Sequence, residues 1–244
     1  MKIIDEFIKK TEEFYEELKG QDRHRYCSWE HCYAQFYEAR QNPEKANVDN
    51  LSLHLAFYLA SWGMYRGSSF LLQYDYTIHT SVVEEILKQK YDKLLGLECN
   101  ELNNDEICSL LDELNTKIKE IYDPFRSKVK KPKGKKDISN ILVSKILLGT
   151  LGCVPAYDRF FVKAVTNIDK NTKKKVTTKN YNIASLKKLI KFYEEHQERL
   201  EELRSKFLIE NEFNEDKKTL LYPQMKVLDM GFWKIGFDLS KEAE

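Results

Sequence analysis

The stretch SKILLGTLGCVPAYDRFF, Ser144 to Phe161, joins an apolar run at helical spacing to a Gly-Cys-Val-Pro turn and then to a segment that opens on a carboxylate. It predicts a helix, a tight turn and a second helix. Pro155 suits the first position of that second helix, because its missing N–H would be unpaired there and its fixed φ matches the start of a helix. Asp158 then falls in the first turn, where a carboxylate faces the positive end of the helix dipole. A carboxylate so placed fits two roles. It can stabilise positive charge developing on a reacting group, or it can serve helix-start electrostatics alone.

The rest of the chain has the same helical character. Glycine and proline are few (9 and 5 of 244 residues), and Leu, Ile, Lys and Glu recur at three- and four-residue spacing, which predicts an all-α protein with room only for short hairpins in loops. Ile3 to Leu18 reads as an amphipathic helix ending at Gly20. Ser28 is placed to cap a strongly aromatic helix that Asn42-Pro43 ends. Leu51 to Leu72 is apolar on all sides and reads as a central helix, with Arg66 within it. The Ser81/Glu84 pair has capping-box spacing and predicts a helix from about Val82 to Leu95. Asn104 or Asp105 caps the next helix, which Asp123-Pro124 should break, and Asp137 is placed to cap the helix leading to Ser144. Asn182 begins a long helix to about Phe207, and Pro223 to Gly236 reads as a short amphipathic one with Val227, Leu228, Met230 and Trp233 inward.

A chain of this length buries one sizeable core or two small ones without metal or disulfide support. RSKVKKPKGKK, residues 126–136, is too basic and too poor in apolar groups to pack. It therefore divides the expected organisation into an N-terminal helical lobe (1–125), a basic linker (126–136) and a C-terminal helical lobe (137–244), with a second basic connector from Lys170 to Lys179. Forty Lys and Arg against 39 Asp and Glu exclude a globally basic nucleic-acid coat, so any electrostatic footprint is local. The cysteines at 27, 32, 99, 108 and 153 form no CxxC pair and no secreted disulfide framework. Asp5 and Glu6 interrupt the place where a signal peptide carries its apolar core, and a cytoplasmic location is expected. The charge-free run Leu51 to Tyr65 is shorter than the ~20 residues of a membrane crossing, so no membrane association is expected. His24, Cys27, His31 and Cys32 have the residue types for zinc but not the spacing, and no metal or cofactor is expected.

Two segments read together carry a resemblance: SKILL with VPxYDRF between 144 and 160, and KVLDMxFW at 226–233. They resemble a bacterial helical branch distantly similar to the helix-hairpin-helix DNA glycosylase superfamily. That resemblance implies two helical lobes with a cleft between them, a helix-hairpin-helix-like motif near 138–165, and Asp158 as the catalytic aspartate. The superfamily hairpin usually reads Leu-Pro-Gly-Val-Gly, whereas here Gly149 and Gly152 are spaced differently. A strand-cleaving member also uses a lysine amine, and Lys145 lies closer to Asp158 in sequence than that pattern has it, so Lys145 is expected as a surface or ion-pair residue.

The implied chemistry is extrusion of a damaged or modified base into an aromatic pocket and hydrolysis of its N-glycosidic bond, with an ionised Asp158 stabilising the charge on the sugar. Trp29, Tyr33, Trp62, Tyr65 and Tyr157 are candidates for stacking, and Arg66 and Arg159 for gripping substrate. Lys145, Gly149, Gly152, Lys130 and Lys131 are candidates for contacting the DNA backbone. Arg66 has a structural alternative as a partner of Asp75, Glu84 or Asp158, and Asp229 one as a cap. Two other readings stay open. One is a non-catalytic all-α interaction protein presenting its aromatic helices, and the other is an RNA-binding or defence factor using the basic loops.

Overall fold

The structure is a computed structural model that describes residues 3–129, 137–167, 175–210 and 219–242. It is predominantly helical, as expected. In chain order the helices are α1 (Ile3–Gly20), α2 (Ser28–Gln41), α3 (Val48–Ser61), α4 (Thr80–Ile86), α5 (Asp105–Lys128), α6 (Asn140–Thr150), α7 (Arg159–Asn167), α8 (Ile183–Glu194) and α9 (Gln197–Arg204). A two-stranded antiparallel hairpin, β1 (Leu208–Glu210) and β2 (Thr219–Leu221), precedes the last helix, α10 (Gln224–Lys241).

The helix that organises the rest is α10. Every residue from Gln224 to Gly236 is buried, so this is a central helix and not the short amphipathic one that the sequence predicts. It packs against α7 and α1. A Cβ at Gly236 would collide with the carbonyl of Phe160, so glycine is what lets the start of α7 press onto α10. Phe232 meets Phe7 of α1 at 4.8 Å and Phe192 of α8 at 5.2 Å. Residues from both sides of 126–136 therefore belong to one contiguous apolar cluster. Each Phe or Leu fully buried in it contributes about 1.5–3 kcal/mol relative to exposure.

Helix starts follow their caps where a side chain supplies the acceptor. Asn104 accepts from Glu106 N at 2.8 Å, and Asn182 from Ser185 N at 2.9 Å. Several boundaries differ from expectation for identifiable reasons. The helix before Thr150 is capped by Ser139, which accepts from Leu142 N, and not by Asp137. At Ser28 the helix continues from a 3-10 turn, Arg25–Cys27, so Ser28 is helical and Cys27 occupies the cap position. α3 stops at Ser61 because Gly63 takes a positive φ (78°), and Arg66 lies in an exposed loop beyond it. α4 begins at Thr80 and ends at Ile86, with a 3-10 segment, Gln89–Leu94, in place of its expected second half. α5 runs through Pro124 to Lys128. The ring removes one N–H, but this last stretch is anchored from outside, with Tyr74 donating its hydroxyl to the Phe125 carbonyl at 3.0 Å. The long helix after Asn182 is two helices, α8 and α9, interrupted at Glu195 and His196. No helix among the described residues is long and apolar enough to cross a membrane.

Candidate active site

α6 ends in a left-handed stop. Leu151 N and Gly152 N both donate to the Leu147 carbonyl (3.0 and 2.9 Å), and Gly152 has φ 63°. A Cβ there would lie 2.6 Å from Pro223 and 2.9 Å from Tyr33, so the position is closed by packing as well as by conformation. Gly149 is inside α6 with the Tyr58 ring where its side chain would be. These placements correct the expectation that the two glycines present amides to a phosphate. Both are explained by packing, and the Gly152 N–H is already used.

The segment after the stop is held from two directions. Asp229 of α10 accepts from Ala156 N at 2.9 Å, and the Ser144 hydroxyl of α6 accepts from Tyr157 N at 3.0 Å. These tertiary acceptors keep residues 156 and 157 off the helix, so α7 begins at Arg159 and Pro155 is not its first residue. Asp158 is consequently the N-cap. Its Oδ1 accepts from Phe160 N (3.0 Å) and Phe161 N (3.2 Å). Its Oδ2 faces Trp233 Nε1–H at 3.2 Å and the Lys145 ammonium at 3.4 Å. All four neighbours are donors, which suits an acceptor-only carboxylate.

Lys145 is buried, not at the surface, and also donates to the Trp62 carbonyl at 2.7 Å. Beside this pair lies a second one that the sequence does not announce as a site. Lys226 Nζ meets Asp229 Oδ2 at 3.2 Å, with both side chains 1% exposed. Burial pushes the Lys226 pKa down against the pull of Asp229, and it pushes the Asp229 pKa up against the pull of Lys226. The Lys226 ammonium sits over the rings of Trp29 and Trp62 at 4.8 and 4.7 Å. One signal pointed to these residues. Lys226, Asp229 and Trp233 fall at i, i+3 and i+7, which puts three side chains with polar atoms on one face of the helix.

A concave space of about 1680 Å³ opens over Asp158 and Lys145. It brings together Trp62, Tyr65, Arg66, Tyr157, Asp158, Arg159 and Lys145, residues scattered over nearly a hundred positions, and adds Trp233, expected inward, with Arg25 and Tyr26, which the sequence does not single out. Trp29 and Tyr33 do not line it. They stack on each other in the core at 5.3 Å, and Trp29 Nε1 donates to the Leu148 carbonyl. Arg66 is exposed, forms no ion pair with Asp75, Glu84 or Asp158, and folds back over Gly63. Tyr65 is anchored from behind. Its hydroxyl meets His79 Nε2 at 2.7 Å, and His79 Nδ1 meets the Tyr122 hydroxyl at 2.5 Å. Burial lowers the His79 pKa to about 4, so this imidazole is neutral at pH 7.

Lys130 and Lys131, with most of the first basic connector, and residues 170–174 of the second lie outside the described residues. Among the described residues no group of three or more His, Cys, Asp or Glu is placed to hold a metal ion, and the five cysteines are free. No protein-family model, curated protein or solved structure matches the chain.

Proposed function

We propose that this cavity is a nucleic-acid cleft between the two halves of the chain and that the protein is an N-glycosylase acting on a base extruded from DNA. The single observation that carries this reading is Asp158, a carboxylate fixed by four donors and lining an aromatic cavity. Hydrolysis of an N-glycosidic bond builds positive charge on the sugar as the base departs, and a fixed carboxylate stabilises that charge while water adds to C1′. Tyr65, half-buried on the cavity wall, provides a ring surface for the displaced base. Lys145 serves as the counter-charge that orients Asp158. A helix-hairpin-helix-like contact through Gly149 and Gly152 is not part of this proposal.

Release of free base from pools of damaged and modified oligonucleotides, both single-stranded and duplex, compared between wild type and Asp158→Asn, tests the reading. Release by wild type that falls at least about 100-fold in the variant is expected, the size seen when one preorganised electrostatic group is removed. Borohydride trapping separates the two roles open to Lys145. A trapped covalent complex would make it the attacking amine, and none is expected from a hydrolytic enzyme.

One observation favours the non-catalytic interaction protein instead. Leu53 and Phe57 of α3 are 51% and 60% exposed, one helical turn apart. Base release by wild type would set that reading aside.

A further inference from the structure

We infer that Arg25 and Arg159, which line one cavity, form a two-point clamp for the phosphodiester backbone of a single nucleic-acid strand. The inference rests on the reading of the Asp158 cavity as a nucleic-acid site, and it names the strand type and the groups that grip it.

Both arginines are built the same way, each followed in sequence by an aromatic residue that supports it. The Arg25 guanidinium carbon lies 4.5 Å from the Tyr26 ring, and its Nη2 donates to the Tyr26 hydroxyl at 2.6 Å. The Arg159 guanidinium carbon lies 4.4 Å from the Phe160 ring. The two supporting rings then meet one shared ring. Tyr26 and Phe160 approach Trp233 at 5.5 and 5.4 Å with interplanar angles of 74° and 79°. Trp233 in turn donates to Asp158. The two guanidiniums and the carboxylate are therefore parts of one packed aromatic unit, and both arginines line the cavity that Asp158 lines.

Their charge is uncommitted. Arg40, Arg199 and Arg204 each pair with a carboxylate, whereas among the described residues neither Arg25 nor Arg159 has one within ion-pair distance, and both are exposed. A guanidinium supported by an aromatic ring keeps N–H edges for bidentate contact with phosphate, and its support reduces the ordering cost of binding. On the same cavity wall the half-buried Tyr65 offers a ring surface for an unpaired base. Stacking surface with flanking cations suits a single strand, whose bases are free to leave the stack. A duplex keeps them paired.

The test is fluorescence anisotropy of a labelled single-stranded oligonucleotide and of its duplex with the full chain, over a range of salt. Wild type should bind the single strand more tightly than the duplex. Arg25→Gln and Arg159→Gln should each weaken binding about tenfold at low salt and reduce the salt slope by about 0.7, the value for one lost phosphate contact on a single strand. Arg25→Lys should restore the slope and only part of the affinity, since charge returns without the planar fork. Arg23→Gln, a nearby exposed control, should change nothing. Failure of wild type to bind a single strand, preference for the duplex, or an unchanged slope in both glutamine variants would overturn the clamp. Clamp behaviour without base release would sink the glycosylase reading and leave the clamp standing. Release that is indifferent to both arginines would do the reverse.

Discussion

Two lysine–aspartate pairs lie close together in this core and differ in what they border. Lys226–Asp229 is sealed, with both side chains 1% exposed, while Lys145–Asp158 has 4% and 12% exposure and lines the large cavity. The chemistry of the partners is the same, so the difference lies in where their remaining hydrogen bonds go. Asp229 commits its second oxygen to the Ala156 amide and so fixes the residues just before Asp158. Asp158 commits one oxygen to capping α7 and keeps the other toward Trp233 and Lys145 beside the cavity. The sealed pair ties α10 to the segment before Asp158, and the open pair is the part of the network that borders the cavity.

Breaking the sealed pair should have the largest effect on stability. Asp229→Ala leaves a buried ammonium without its carboxylate and frees the Ala156 amide, and a loss of about 3–5 kcal/mol is expected in urea unfolding. A loss under about 1 kcal/mol would show that Lys226 is neutral or relocates without cost, and the contrast between the pairs would disappear.

The next effect is a pH dependence behind the cavity wall. The pKa of His79 in the folded chain is about 4 against an ordinary 6.5, so the stability it contributes is complete above about pH 6.5 and is lost as pH falls through 4. Between those limits wild type should lose roughly 3 kcal/mol that His79→Gln does not lose. Parallel stability curves for the two proteins would contradict the buried neutral imidazole.

The open pair should respond differently. Asp158→Asn keeps a capping oxygen at α7 but turns an NH2 toward the Trp233 N–H and the buried Lys145 ammonium, so it should cost about 2 kcal/mol of stability while removing most base release. The smallest stability change is expected for Trp233→Phe, which keeps the ring contacts and removes the N–H that faces Asp158. Base release should fall several-fold with the melting temperature within a few degrees of wild type. An unchanged rate would mean that Lys145 and the two backbone amides orient Asp158 sufficiently on their own.

Much of the helical order was legible because local chemistry decides it. Asn104 and Asn182 cap where short polar side chains precede apolar periodicity, and Gly20 ends α1. Boundaries set by distant residues were not legible. Nothing near Pro155 reveals that Asp229 and Ser144 hold the following amides, and nothing near Pro124 reveals Tyr74. The candidate site divides the same way. Asp158 was visible as a helix-start carboxylate, and Trp62, Tyr65, Arg66, Tyr157 and Arg159 were expected at one site that the cavity does bring together. The sequence leaves Lys145 as a surface or ion-pair residue, and only the fold shows that its partner is Asp158 and that both are buried. Arg25 and Tyr26 lie far from Asp158 in sequence, and only packing against Trp233 brings them to it. The buried length of α10 is hidden in the sequence because Lys226, Asp229 and Lys234 make it look amphipathic, whereas all three are buried and partnered.

The most direct test sets the two aspartates side by side. Base release and melting temperature should be measured on the same preparations of wild type, Asp158→Asn and Asp229→Asn. Asp158→Asn is expected to melt below wild type and to release almost no base per folded molecule, while Asp229→Asn melts lower still and keeps release in proportion to the folded fraction. Full release by a folded Asp158→Asn protein would contradict the assignment of the open pair as the working site.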